Sequence, residues 1–353
     1  MKRRTFLASA GAGTTAALAG CTDALVAPGA SDDDLVVATY SAFLDAPSVS
    51  PGEWVKEEFE AEFDTTLVWQ SPPGEVNHYI QRRQEDVNID ADVYLGLNTD
   101  ELVRVDDELD ESLFAAAPEV EGRDSVKGEL DFDPEGRAIP FNTGYISLVY
   151  DSTETVAPDA FEGLLDEEYS GELIAQNPGT STTGRAFMLH TVHEFGASGE
   201  YNYLDFWSDL QDNDVTILGS WADAYGAWQE GEAPMVVSFS TDQVFAAQEG
   251  ADLDEHQIRF LNDQAYANPE GMAMFEGANE DLAREFMEFI LRPAVQGEIA
   301  EQNVVFPATE DAALPEDYDE LAHEPPEPVT FSYEELQGSV EQWIDDWERE
   351  IVE

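Results

Sequence analysis

From residue 35 onward the chain alternates between two kinds of apolar pattern. "LVVATY" (35–40) is a continuous apolar run of the length of a buried strand. "EWVKEEFEAEF" (53–63) instead repeats its apolar residues every three or four positions, as one face of a helix does. The alternation continues with a strand at "TTLVWQ" (65–70), a helix at "VNHYIQRRQED" (76–86) and a strand at "ADVYLGL" (91–97). Further strands are expected at "YISLVYD" (145–151), "GELIAQ" (171–176) and "MVVSFS" (235–240), and helices at "GRAFMLHTVHEF" (184–195) and "EDLAREFMEFIL" (280–291). One long helix is expected over 334–353. Turns are expected at Pro72-Pro73-Gly74, Pro178-Gly179 and Pro269-Glu270-Gly271. Strands alternating with helices of ten to fifteen residues imply βαβ units and a mainly parallel sheet, the α/β class.

Length extends this picture. With 353 residues there is chain for two lobes, each with its own core. In open α/β folds, ligands meet the carboxyl ends of the strands, so a cleft between the lobes is the expected binding place.

The charge is unusual. There are 77 acidic residues against 15 basic ones, a formal net charge of −62, and the acids are spread through the apolar periodicity. That distribution describes a folded protein with a carboxylate-covered surface, suited to concentrated salt. At ~1 M salt the screening length is about 3 Å, short enough to quiet the self-repulsion. Nucleic acid is excluded as a partner, because its phosphates would meet like charge nearly everywhere.

Residues 1–21, "MKRRTFLASAGAGTTAALAGC", begin with Arg3-Arg4 and end in Leu-Ala-Gly-Cys. The first feature resembles a Tat export signal and the second a lipobox, which would leave Cys21 as a lipid-bearing residue and place the protein on the outer face of the cell membrane. Residues 22–34 are small, polar and acidic, and read as a tether. Cys21 is the only cysteine, so no disulfide forms within one chain.

Four places carry candidate chemistry, each with a plainer alternative. Tyr40 closes the first strand, either meeting a ligand or packing on its own sheet. In "NPGTSTTGRAFML" (177–189), Thr180, Ser181 and Thr182 precede a helix. They are ordinary caps or, with free amides and Arg185, a seat for an anion. In "GSWADAYGAWQEGE" (219–232), Trp221, Tyr225 and Trp228 share one helical face, as core or as a stacking surface for a flat cation. His190 and His193 lie one turn apart, as half-buried helix histidines or as metal ligands of an exported hydrolase. No nucleophile elbow, phosphate loop or dinucleotide fingerprint occurs, so neither catalysis nor a cofactor is expected.

Seven blocks together carry a resemblance: "VVATYSAF", "ADVYLGLN", "PFNTGYISLVYD", "NPGTSTTG", "GSWADAYGAWQEGE", "VVSFSTD" and "WIDDWERE". In this order they resemble the thiamine-binding solute receptors of ABC importers, across nearly all of the chain after Leu35. The resemblance implies a two-lobed type II periplasmic-binding fold, with 35–140 and 265–310 in one lobe and 141–264 and 311–353 in the other. It implies a monomer that closes on thiamine or a thiamine phosphate and delivers it to a permease and its ATPase. Tyr40 and Trp221 would stack on the ligand rings, and Ser181 with Thr180 and Thr182 would meet the phosphate. Gly74, Tyr225, Phe239, Ser240 and Phe306 complete the implied site. The chain departs from the family at Pro73, where an acid is usual and the nearest one here is Glu75. It departs again at Phe239 and Phe245, where tyrosines are usual, and at Val304, where a tryptophan is. Polyamine and ferric-ion receptors are the alternatives within the same class.

Overall fold

A computed structural model describes residues 34–352. The leader, Cys21 and almost all of the tether lie outside the described residues.

The first half opens with β1 (Asp34–Thr39), α1 (Ser41–Leu44), α2 (Gly52–Glu62), β2 (Thr66–Gln70), α3 (Val76–Gln84), β3 (Val93–Leu97) and α4 (Thr99–Glu108). A long strand, β4 (Ala138–Tyr150), then leads into β5 (Leu173–Gln176), α5 (Thr182–Phe195), α6 (Tyr203–Asp212), β6 (Thr216–Leu218), α7 (Trp221–Gln229), β7 (Met235–Phe239), α8 (Asp242–Glu249) and β8 (Gln257–Arg259). A second long strand, β9 (Gln264–Met274), returns to α9 (Glu280–Ile290), α10 (Pro293–Gln302) and β10 (Phe306–Pro307). The chain finishes with α11 (Tyr318–Leu321), β11 (Glu327–Val329), α12 (Tyr333–Leu336) and α13 (Val340–Trp347).

The sheet runs β2-β1-β3-β9-β4-β7-β5-β6. Strands β2, β1 and β3 are parallel, as are β7, β5 and β6. Between these two sets lie β9 and β4, antiparallel to each other and to their neighbours. The inner strands β1, β3, β5 and β7 are buried on both faces, which is why they read as unbroken apolar runs. In β1, Leu35 and Val37 enter one core with Phe43, Phe59 and Phe286, while Val36 and Ala38 enter another with Tyr79 and Tyr94. The far half repeats this arrangement, with Leu148 and Val237 on one side and Val149 and Val236 on the other. The α/β class, with two lobes and a parallel set of strands in each, is therefore as expected.

The two long strands cross from one half to the other. In β4, residues 138–140 pair with the β3 side of β9, while 146–150 pair with β7. The ladder slips between Pro140 and Asn142, leaving Phe141 as the extra residue. Proline has no amide to give a ladder, and a bulge is where a sheet interior tolerates it. The turn expected at Pro269-Glu270-Gly271 is thus a correction: these residues lie inside β9, pairing with Thr143, Asn142 and Pro140 around the slip, so they mark an irregular stretch of ladder rather than a chain reversal.

The expected C-terminal helix is also corrected. It breaks at Gly338, whose φ of +69° is left-handed, giving α12, a turn, α13 and a closing π-turn. Trp347 packs edge-on against Trp207 at 5.2 Å, both buried in the core of the far half. The same segment also ties to α4, through Arg104 to Glu341 (2.6 Å) and Tyr333 Oη to Asp106 (2.7 Å). Among the described residues no helix is long and apolar enough to cross a membrane.

Candidate binding cleft

Side chains alternate across a strand, so Asn142 and Gly144 of β4 share a face, as do Asn268 and Glu270 of β9. All four border one cavity, enclosing about 1020 Å³ when the space at its open mouth is counted. The crossing strands supply its floor, and strand ends and helix starts from the two halves supply its walls. Tyr40, Glu75 and Asn303 come from one side; Ser181, Trp221 and Phe239 come from the other.

Tyr40 follows β1. Its ring lies where a Cβ on Gly96 would stand 2.6 Å from it, so only glycine leaves that room, and Gly96 also has φ +108°. The phenol donates to Glu270 Oε2 (3.0 Å) and accepts from Asn303 Nδ2 (2.7 Å). Burial first, then the neighbouring Glu270 carboxylate, holds its pKa well above 10, so it is a neutral hydroxyl. Asn142 Nδ2 donates to the same Glu270 oxygen (2.9 Å). Burial raises Glu270 to about 7, with repulsion from Glu75 adding to it and the Asn142 and Tyr40 bonds opposing it. Glu75 lies one residue before α3 with φ +52°, an uncommon conformation for a non-glycine residue, and borders the cavity. Burial raises its pKa too, against the attraction of Arg185.

Opposite, Ser220 caps α7 by accepting from the Asp223 amide (3.1 Å), which puts Trp221 at the first helical position. Its indole is half-buried, donates to Ser238 Oγ (3.0 Å) and stacks on Tyr225 with centroids 5.0 Å apart and planes 24° from parallel. One indole face is thereby taken, and the cavity meets what remains. Phe239 completes this wall. Its ring sits over Gly144, where any Cβ would come within 2.6 Å. Asp242 accepts from Tyr225 Oη (2.5 Å) and lies 2.6 Å from His256 Nδ1.

A third wall is the start of α5. Ser181 Oγ accepts from the Gly184 amide (3.3 Å), and Thr180 Oγ1 donates to the Gly219 carbonyl (2.7 Å). Arg185 does not join this wall. Its buried guanidinium donates to Asp100 and to the Pro178 carbonyl (3.0 Å), with Glu101 at 3.9 Å.

The comparisons with known proteins agree with this architecture. Residues 54–326 match the family model described as bacterial extracellular solute-binding protein. The chain belongs to that family. It is similar to the thiamine-binding periplasmic protein of Salmonella typhimurium, 28% identical over 333 residues covering 92% of this chain and 95% of that one. The Escherichia coli thiamine-binding periplasmic protein is also 28% identical, over 90% and 93% of the two chains. A solved periplasmic thiamin binding protein superposes with a TM-score of 0.79 at 26% identity, covering 92% of this chain and 98% of that one. Family and fold together make this chain an extracytoplasmic solute receptor of the ABC-transporter class, and these relatives are binding proteins.

Of the receptor's expected site residues, Tyr40, Thr180, Ser181, Thr182, Trp221, Tyr225 and Phe239 border the one cavity, with Phe245 and Val304 from among the departures. Three others stand elsewhere. Gly74 is exposed beside the cavity, and Glu75 presents its side chain there instead. Ser240 is fully buried on the far side of the strand alternation from Phe239, with its Oγ unpartnered. Phe306 packs edge-on against Tyr145 at 5.2 Å, and Asn303, Val304 and Val305 fill its expected place. Trp228 is core, against Tyr225 and His256. The expected help of Arg185 at an anion seat is likewise corrected, since its charge is spent on Asp100. His190 is buried against Phe161, its pKa lowered to about 3 by burial, while His193 is exposed. No group of three or more metal-ligating side chains occurs among the described residues.

Sequence reasoning missed Glu270, Asn142, Asn268 and Asn303. The signal for Glu270 was its place beside Pro269, which was read as a turn. The asparagines carried no pattern at all.

Proposed function

We propose that this receptor captures thiamine or a thiamine phosphate by closure of its two lobes and delivers it to a membrane permease, without catalysing a reaction. The observation that carries this reading is the Trp221–Tyr225 stack facing Glu75 and Glu270 across one cavity. A flat aromatic cation needs a π face on one side and negative charge within reach, and this cavity offers both. The thiamine-binding names of the relatives support the same ligand class. The lobes would be 35–140 with 265–310 and 141–264 with 311–353, hinged in β4 and β9 where the strands cross. Lipid attachment at Cys21 after Tat export, a monomeric state and adaptation to concentrated salt belong to the same proposal.

The test is calorimetric titration in concentrated salt with thiamine, its phosphates, spermidine and ferric citrate. Saturable binding of thiamine or a phosphate ester, displacing the weaker solutes, supports the reading; no binding by any thiamine compound refutes it. A polyamine is the second reading, favoured by the three cavity carboxylates Glu75, Glu270 and Asp242. Spermidine binding tighter than thiamine would establish it.

A further inference from the structure

Every charged side chain bordering the cavity is acidic: Glu75, Asp242 and Glu270. Among the described residues no lysine, arginine or histidine borders it. That imbalance bears on which form of the ligand the site accepts.

We propose that the receptor selects the unphosphorylated cation and discriminates against its phosphate esters. The inference rests on the thiamine reading and sharpens it.

A phosphate ester would need donors and positive charge beside the aromatic wall. The start of α5 is the place for them, and what it lacks is the positive charge. Ser181 Oγ takes up the Gly184 amide, and the Thr180 hydroxyl proton is given to the Gly219 carbonyl. Arg185, one turn into the helix, is the nearest cation. Its guanidinium turns away to Asp100, with Glu101 close behind, so its charge is spent inside that corner. Glu75 stands near enough to Arg185 and Asp100 to feel both.

The floor asks for the opposite chemistry. Asn142 is fully buried and borders the cavity. Its Nδ2 is used on Glu270, while its Oδ1 has no partner. An orphaned buried acceptor costs free energy until a donor arrives. Glu270 accepts its two hydrogen bonds at Oε2, and the Glu75 carboxylate accepts none from a described residue. The cavity thus offers acceptors and negative charge to a ligand bearing N–H groups and a positive ring. An added phosphate would bring one to two negative charges among three carboxylates in a partly desolvated space, where salt screens poorly.

The test is titration of the whole protein in concentrated salt, following heat or the total tryptophan fluorescence, with thiamine, thiamine monophosphate, thiamine diphosphate and inorganic pyrophosphate as separate probes. The expected result is thiamine at least tenfold tighter than either ester, with no binding of pyrophosphate. An ester binding as tightly as thiamine, or pyrophosphate competing with it, overturns the selectivity and leaves the thiamine reading intact. If none of the thiamine compounds binds, the ligand reading itself fails, and this inference with it. A second arm uses the double variant E75Q/E270Q. Its preference for thiamine over the monophosphate should shrink at least threefold; an unchanged ratio overturns the role given to the carboxylates.

Discussion

Replacing Glu270 by glutamine separates what the carboxylate does for the fold from what it does for the ligand. Glutamine has the same shape, and its amide oxygen can accept from Tyr40 Oη (3.0 Å) and Asn142 Nδ2 (2.9 Å) as Oε2 does. What disappears is the cost of a charge in a buried place. A pKa raised from 4.5 to about 7 corresponds to about 3 kcal/mol. The direction follows from linkage. The folded protein holds this proton more firmly than the unfolded chain does. Stability is undiminished below the ordinary carboxylate pKa, falls as pH rises from there to about 7, and stays lowered above it. Water entering from the cavity mouth softens the penalty, so we expect Glu270→Gln to gain about 1–3 kcal/mol at about pH 8.5 and nothing near pH 4. Urea unfolding in concentrated salt at the two pH values measures this. In the same variant, thiamine affinity should fall about tenfold or more, because the cation loses one of the three cavity carboxylates. A variant no more stable at the higher pH than the parent would refute the reasoning about the buried carboxylate.

The native protein should bind thiamine more tightly as pH rises through about 7, releasing a proton on binding. A cation favours the ionised form of Glu270, which faces Glu75, Tyr40 and Asn142; affinities independent of pH between about 6 and 8 would contradict this. Trp221→Ala should raise the thiamine Kd about 2- to 30-fold by titration, from the ~0.5–2 kcal/mol of a ring–cation contact, with Trp221→Phe falling between. Arg185→Ala should cost about 3–5 kcal/mol in urea unfolding, since it leaves the buried Asp100 without its counter-ion. Pairing Arg185→Leu with Asp100→Asn should recover most of that loss. Lowering the salt from ~1 M to ~0.1 M lengthens the screening distance from about 3 to about 10 Å, so the thermal midpoint of a chain of net charge −62 should drop markedly.

The α/β class, the strands β1, β2, β3, β5 and β7 and the helices α2, α3, α5 and α9 were legible in the chain, because each is recorded locally, whereas β6, α4, α6 and α8 went unread. A strand covered on both faces must be apolar throughout, as "LVVATY" and "ADVYLGL" are, and an amphipathic helix must repeat its apolar residues at its own period, as 280–291 does. Trp221 and Tyr40 were legible too, since their positions at an element boundary follow from local signals such as the Gly219-Ser220 turn. The ends of β4 and β9 and the break at Gly338 were not, because prolines and glycines mark an irregularity without saying whether the chain turns or continues.

The electrostatic character of the cleft was decided only by tertiary structure. Among 77 acidic residues, nothing local distinguishes Glu270 from the rest, or ties it to Glu75 and Asp242. They became a group when two crossing strands, a strained turn and a helix start were brought around one cavity, where desolvation made their charges matter. Arg185 shows the converse. Its sequence position at a helix start suggested an anion partner, but Asp100, 85 residues earlier in the chain, claimed it first. Periodicity is a property of neighbours along the chain; charge balance in a cleft belongs to neighbours in space.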